Sequence, residues 1–221
     1  MSELQPIVDA FLQSFEVRRP FVVSHARRVS TYAVRLATQY GLGADVIENI
    51  RVGALLHDAG KILIPSRILT KPGRLNQYEW VELRTHPDKG LELLERVGLN
   101  AEMRDIVLHH HERFDGRGYP DGLSGVQIPW SVRIVSVMDS FDALTSTREY
   151  RERLTPGAAR ALIAREAGTR FCPWVVAGFL SLPLALLEPG PEAPCPDSYL
   201  PEGRPEASSM HATQVWTVSP N

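Results

Sequence analysis

Apolar residues recur along most of this chain at three- and four-residue spacing, the period of a helix that buries one face. Ile7, Phe11 and Phe15 define a first amphipathic helix. A second, over about 22–40, carries Val22, Val29, Ala33 and Leu36 on one face. A third, over about 44–59, carries Ile47, Ile50 and Ala54. In "LNQYEW", Asn76 is placed as an N-cap with Glu79 at the third helical position, a capping-box pattern. "HPDKGLELLERVGL" puts Pro87 where a first helical turn tolerates it. Further helices are predicted at about 101–112, 130–147, 155–167 and 173–181. "VRIVSVMD" is β-branched enough to pass for a short buried strand, but the length of the pattern and the following "SFDALT" favour a helix. No internal repeat is visible, and the pattern predicts an all-α helical bundle.

The pattern stops near Leu182. From there to Asn221 lie eight of the chain's 17 prolines, and apolar clusters are few. Such a segment buries too little apolar surface to offset its ordering entropy. The expected organisation is therefore a folded unit over 1–181, with residues 1–20 as a helix leading into it. A Pro-rich, disordered tail over 182–221 follows, with Val215–Trp216 as a short docking segment. At 221 residues the chain is long enough to bury a sizeable core. Its net charge of −2 gives no bulk attraction to a nucleic-acid polymer. The two cysteines, Cys172 and Cys195, are far apart, which argues against a disulfide framework or a cysteine zinc site. The first residues lack the basic end and apolar run of a signal peptide. No apolar stretch approaches the ~20 residues that span a bilayer. The expectation is a cytoplasmic protein with no membrane span.

Seven histidines carry the chemistry. His25 lies on the apolar face of the second helix, between Val22 and Val29. His57 continues the face of Ile50 and Ala54 and is followed at once by Asp58. His86 stands at a helix start, and His109, His110 and His111 form a run ahead of a glycine-rich turn. His211 belongs to the tail. A lone histidine on an apolar face is more often a hydrogen-bonded core residue than a ligand. Several on separate helices, with an adjacent carboxylate, suit a site for two transition-metal ions inside a bundle. Spacing alone leaves both readings open.

"ALLHDAGKILIPSRIL", then "HPDKG", "HHERFDGRGYPDGLSGVQIP" and "RIVSVMDSFDALTSTREYR", stand in this order. These blocks resemble the HD-GYP family, a branch of the HD phosphohydrolase superfamily, from about Phe21 to Leu180. The resemblance implies an all-α HD-type bundle that hydrolyses cyclic di-GMP to the linear dinucleotide pGpG and/or GMP. It implies His25, His57, Asp58, His86, His110, His111 and Asp139 as metal ligands, with Asp58 bridging two metals and serving catalysis. His109 is then the spare member of its run. Lys61 falls near the substrate phosphate as a second catalytic group. Tyr119 of "DGRGYP" falls beside the substrate, with Gly118 and Pro120 in the same loop and Gly116 allowing its backbone path. Arg148 and Arg151 match basic positions around the dinucleotide, and Asp142 is placed where it orients Arg148 or assists the substrate site.

A phosphodiester is anionic and resists attack by water. A two-metal site generates hydroxide at neutral pH and neutralises charge developing on the phosphoryl oxygens. In-line attack by a metal-bridging hydroxide is the expected step, with Lys61 acting as a point charge. The His/Asp donor set suits two divalent ions, iron or manganese, without excluding zinc. Some members support a third metal with a glutamate one turn before the first histidine; here Phe21 stands there, so two metals are expected. Only about twenty residues precede the matched blocks, so no receiver domain is expected. Arg18–Arg19 and Arg27–Arg28 read as solvated helix faces. Glu112 reads either as a partner orienting a histidine or as an ordinary helix-end acid. Asp115 reads as fixing its turn, and Trp80 and Trp130 read as core residues. Besides cyclic di-GMP, a diguanylate cyclase (GGDEF) domain is the kind of partner the resemblance implies. Two other readings stay open: an HD-type phosphohydrolase of another nucleotide, and a non-catalytic module that binds cyclic di-GMP or a partner.

Overall fold

The computed structural model describes residues 4–16, 19–146 and 153–187. Among them the regular elements are all helical: α1 (Gln5–Glu16), α2 (Pro20–Gln39), α3 (Ala44–Leu56), α4 (Ser66–Leu69), α5 (Gln77–Arg84), α6 (His86–Leu93), α7 (Ala101–His109), α8 (Trp130–Thr145), α9 (Pro156–Arg165) and α10 (Pro173–Ser181). Short 3₁₀ turns cover Ala59–Leu63, Glu95–Val97, Gly125–Gln127 and Leu184–Leu187. No helix among the described residues is long and apolar enough to cross a membrane.

Local signals explain most boundaries. Asn76 accepts from the Glu79 amide and Glu79 reaches back to the Asn76 amide, the expected capping box at the start of α5. Thr155 caps α9 through the Ala158 amide. Proline opens α2, α6, α9 and α10 in the first turn, where its missing N–H costs nothing. The β-branched run "VRIVSVMD" is helical because α8 is the centre of the bundle. Val132, Ile134, Val135, Val137, Met138 and Phe141 are all fully buried and point to several sides.

Two apolar clusters hold the helices. The larger joins α2, α3, α8, α9 and α10 around Leu36, Ile50, Met138, Phe141 and Phe179. The smaller joins α1, α3 and α7 around Val8, Phe15, Leu56 and Val107. Each such side chain contributes about 1.5–3 kcal/mol when buried rather than exposed. Helix α3 serves both clusters, with Ile50 and Ala54 facing one and Val52 and Leu56 the other. Its C-terminus therefore emerges between them, where His57 and Asp58 follow.

Several expectations shift. In α1 the buried stripe is Val8, Leu12 and Phe15, while Ile7 is 45% exposed. A strict four-residue spacing drifts around a helix of 3.6 residues per turn, so Ile7 falls off the face that Phe15 anchors. Trp80 and Trp130 are only partly buried. Trp130 packs edge-on against Tyr40, and Trp80 lies under the Arg84 guanidinium. Leu182 and Leu187 are buried in the larger cluster, so the chain continues to pack past the compositional break. The remainder of the expected tail, 188–221, lies outside the described residues.

Candidate metal centre

Three histidines take their orientation from helix ends. The last four carbonyls of an α-helix have no intrahelical partner. His57 follows α3 and its Nδ1 meets the Ala54 carbonyl at 2.7 Å. His110 follows α7 and meets the Val107 carbonyl at 3.0 Å, while His86 meets the Leu83 carbonyl in the last turn of α5 at 2.8 Å. A carbonyl only accepts, so each Nδ1 carries the proton and each Nε2 offers a lone pair. His25 sits mid-helix, where no carbonyl is free. Its Nδ1 instead donates to Asp142 Oδ2 at 2.6 Å.

The Nε2 atoms of these four histidines converge on one carboxylate from two sides. Asp58 Oδ2 lies 3.4 Å from His57 Nε2 and 3.7 Å from His25 Nε2. Asp139 Oδ1 completes that side, 3.1 Å from His25 Nε2 and 3.9 Å from His57 Nε2. Asp58 Oδ1 faces the other group, 3.4 Å from His86 Nε2 and 3.9 Å from His110 Nε2. His111 joins this second set, so two groups of metal-competent atoms share Asp58. His57 Nε2 and Asp58 Oδ1 are buried with no hydrogen-bond partner, an arrangement that costs free energy unless something else meets those atoms. The donor set fits two divalent cations, one on each side of Asp58.

The electrostatics match sites prepared for cations. Burial alone would raise the carboxyls of Asp58 and Asp139. Lys61, His57 and His86 around Asp58, and His25, His57 and His111 around Asp139, instead hold both well below the usual carboxylate range. Burial pushes the His86 pKa down to about 4, and also drives His110 and His111 well below the ordinary imidazole value. These three are neutral, as ligands must be. His25 differs. Burial works against its charge, yet hydrogen bonds to Asp139 and Asp142 push its pKa up to about 9. Lys61 Nζ sits 2.6 Å from Asp58 Oδ2 as a counter-ion of that carboxylate.

The substrate loop expected after the histidine run is tied to α7 by two acids. Glu112 is buried, and its Oε1 accepts from the amides of Asp121 and Gly122 at 2.7 and 2.9 Å. His109 Nε2 meets Asp121 Oδ2 at 2.9 Å. Asp115 accepts from the Arg117 amide and pairs with Arg113, fixing its turn as expected. Gly116 has φ +76°, the left-handed region that glycine enters freely. Gly118 is required for space: a Cβ there would lie 2.4 Å from the Arg113 nitrogen and 2.7 Å from Glu112 Oε2. This close approach brings the Tyr119 ring onto His111, with centroids 4.8 Å apart and planes at 29°.

All seven expected ligands are thus brought together, with Lys61 and Tyr119 beside them. Arg148 and Arg151 lie outside the described residues. Asp142, expected to orient Arg148 or to assist the substrate site, is 1% exposed. Arg28 Nε meets Asp142 Oδ1 at 2.6 Å, and Arg28 Nη2 meets Oδ2 at 3.0 Å and Ser146 Oγ at 2.9 Å. Asp142 is therefore a holder of His25 rather than a substrate contact, and Arg28 is part of that brace rather than a solvated face. The clue was present in the sequence: Arg28 follows His25 by three residues, as Asp142 follows Asp139, so each pair shares a helix face. Glu112 holds the loop, a role neither sequence reading gave it. Phe21 is 52% exposed at the start of α2 and adds no ligand.

The HD domain family model matches residues 12–175, and the chain belongs to that family. Its HD-GYP branch is borne out by the relatives. The chain is 41% identical over 175 residues to a protein named cyclic di-GMP phosphodiesterase response regulator RpfG of Xanthomonas campestris, covering 76% of this chain and 45% of the relative. It is 41% identical over 163 residues to a cyclic di-GMP phosphodiesterase of Thermotoga maritima, covering 72% and 44%. It is 39% identical over 163 residues to 3′3′-cGAMP-specific phosphodiesterase 2 of Vibrio cholerae, covering 73% and 31%. The chain thus spans less than half the length of these curated relatives. Among solved structures, Bd1817, an HDG"Y"P protein from Bdellovibrio bacteriovorus, superposes with a TM-score of 0.59 at 20% identity, covering 71% of this chain and 50% of that one.

Proposed function

We propose that this chain is a metal-dependent phosphodiesterase that hydrolyses cyclic di-GMP to pGpG and/or GMP at a two-metal site. The observation that carries the reading is Asp58, whose two oxygens face two separate sets of imidazoles. The names of the relatives support the substrate class. His25, His57, Asp58 and Asp139 would hold one ion, and Asp58, His86, His110 and His111 the other. Such ions, when bound, activate water and stabilise charge on the phosphoryl oxygens. An all-nitrogen-and-oxygen donor set without thiolate suits iron or manganese.

The chain's own residues supply the rest. The carbonyl-anchored imidazoles are pre-oriented, so little reorganisation accompanies the reaction. Lys61 brings a positive charge beside Asp58, where the scissile phosphate has to lie to reach both ion positions. Tyr119 walls the His111 side of the site, and its hydroxyl is held protonated, with burial and the nearby carboxylates of Asp58 and Asp139 raising its pKa. The reaction joins a water oxygen to phosphorus and releases the 3′ oxygen.

Three relatives named as 3′3′-cGAMP-specific favour a second reading, in which the same site takes 3′3′-cGAMP. Both are tested on anaerobically purified protein, with metal content by mass spectrometry and turnover of each cyclic dinucleotide. About two metals per chain, and hydrolysis lost in a His57→Ala/Asp58→Ala variant, are expected. Metal binding without hydrolysis of either, after iron and manganese reconstitution, refutes the phosphodiesterase reading.

A further inference from the structure

The candidate centre accounts for one phosphate, yet a cyclic dinucleotide carries two. Each is a monoanion at neutral pH, and the ring holds the second away from the metals. The described cations near the site are mostly committed. Lys61 pairs with Asp58, Arg28 with Asp142 and Ser146, Arg113 with Asp115, and Arg170 with Glu166 and Ser140. Arg84 and Arg117 are the exceptions, and of these two only Arg84 has its guanidinium held against aromatic rings. Arg84 is exposed at the C-terminal end of α5, directly after Leu83, whose carbonyl anchors His86. Among the described residues it makes no ion pair or hydrogen bond, so its whole donor fork is available.

Its position is nevertheless defined. The guanidinium carbon lies 5.2 Å from the Tyr119 ring centroid and 5.8 Å from that of Trp80. Tyr119 in turn stacks on His111. A continuous path of rings therefore runs from the candidate metal centre to this cation. Two aromatic faces restrict an otherwise flexible side chain and leave its edge free, and that edge matches the two oxygens of a phosphodiester.

We propose that Arg84 anchors the phosphate of the cyclic dinucleotide that is not being cleaved, an inference that rests on the proposed function. The anchor is a binding contact rather than a group at the reacting atoms. It therefore acts on KM more than on kcat.

The test uses the metal-loaded full chain and its Arg84→Ala and Arg84→Lys variants. Each is assayed on cyclic di-GMP, 3′3′-cGAMP and bis(p-nitrophenyl) phosphate, which has a single phosphate. Arg84→Ala is expected to raise KM about tenfold on whichever cyclic dinucleotides are cleaved, for loss of one charged hydrogen-bonding group. Its kcat is expected to stay within about twofold, Arg84→Lys to recover part of the loss, and the single-phosphate substrate to be unaffected. An unchanged KM in Arg84→Ala, or equal losses on the single-phosphate substrate, overturns the role of Arg84 while leaving the proposed function standing. A loss confined to cyclic di-GMP, when both dinucleotides are cleaved, assigns Arg84 to a guanine and overturns the phosphate contact. A wild-type chain that cleaves only bis(p-nitrophenyl) phosphate overturns the proposed substrate class and this anchor with it.

Discussion

Asp142 is the residue whose position says most about how the centre is held. Burial alone would raise its carboxyl, but His25 and Arg28 keep it ionised below the usual carboxylate range. It fixes the His25 tautomer, the task that main-chain carbonyls perform for His57, His86 and His110. Outer partners of this kind are worth about 10- to 100-fold in metal affinity. Asp142→Asn is therefore expected to weaken metal binding by that order at the His25 side, read by titration of the metal-free protein with manganese. Retention of both sites at undiminished affinity would refute this role. The raised pKa of His25 gives a second residue-scale expectation. Below about 9 the metal-free imidazole carries a proton that an ion has to displace, so affinity on this side rises between pH 6.5 and 9. Isothermal titration across that range, in buffers of differing ionisation enthalpy, reports the released proton directly. No proton release from this side at pH 7 would contradict the expectation.

At the scale of elements, the loop after α7 is positioned by contacts that leave no slack. A methyl group at Gly118 collides with main-chain atoms of Glu112 and Arg113, and main chain yields less readily than a side chain. Gly118→Ala is expected to displace Tyr119 and cut cyclic-dinucleotide turnover at least about tenfold, a loss of roughly 1.4 kcal/mol, while both metals stay bound. Parallel metal analysis and kinetics would separate the two effects, and loss of metal along with activity would show that the loop also supports the ligands. Much of this element structure could be read in advance. The capping box at Asn76, Pro87 in a first turn and the periodic stripes located α2, α5 and α6 well. The stripe of α1 was misjudged because a strict fourfold spacing and a true helical period diverge within three turns. The loop's glycines could be named but not their reasons, since Gly118 answers to atoms folded back against it. The same holds for Glu112, whose partners Asp121 and Gly122 lie in the loop folded back against it. The expected ligands came from motif blocks, but no spacing rule could show that Asp58 divides its oxygens between two groups.

For the whole molecule, the buried imidazoles make stability depend on pH in both directions. His86 has a folded pKa of about 4 against an unfolded value near 6.5, so the unfolded chain binds more protons between them. Its contribution is lost as pH falls from 6.5 towards 4, and the lowered values of His110 and His111 act in the same sense. His25 is raised to about 9, so its contribution is complete below 6.5 and is lost as pH rises through 9. The metal-free chain should therefore show its highest melting temperature near pH 6.5, declining on both sides. A monotonic profile from pH 4 to 9 would contradict these shifts. The ligands also lie far apart along the chain, from His25 on α2 to Asp139 on α8, and this has a kinetic meaning. No short stretch of the unfolded polypeptide offers even one complete set of donors, because His25 and Asp139 on one side, and His86 with His110 and Asp58 on the other, meet only when distant helices have docked. Cation capture at the proposed centre would thus be a closing event in folding rather than its nucleus, an ion sealing a bundle whose helices have already found one another.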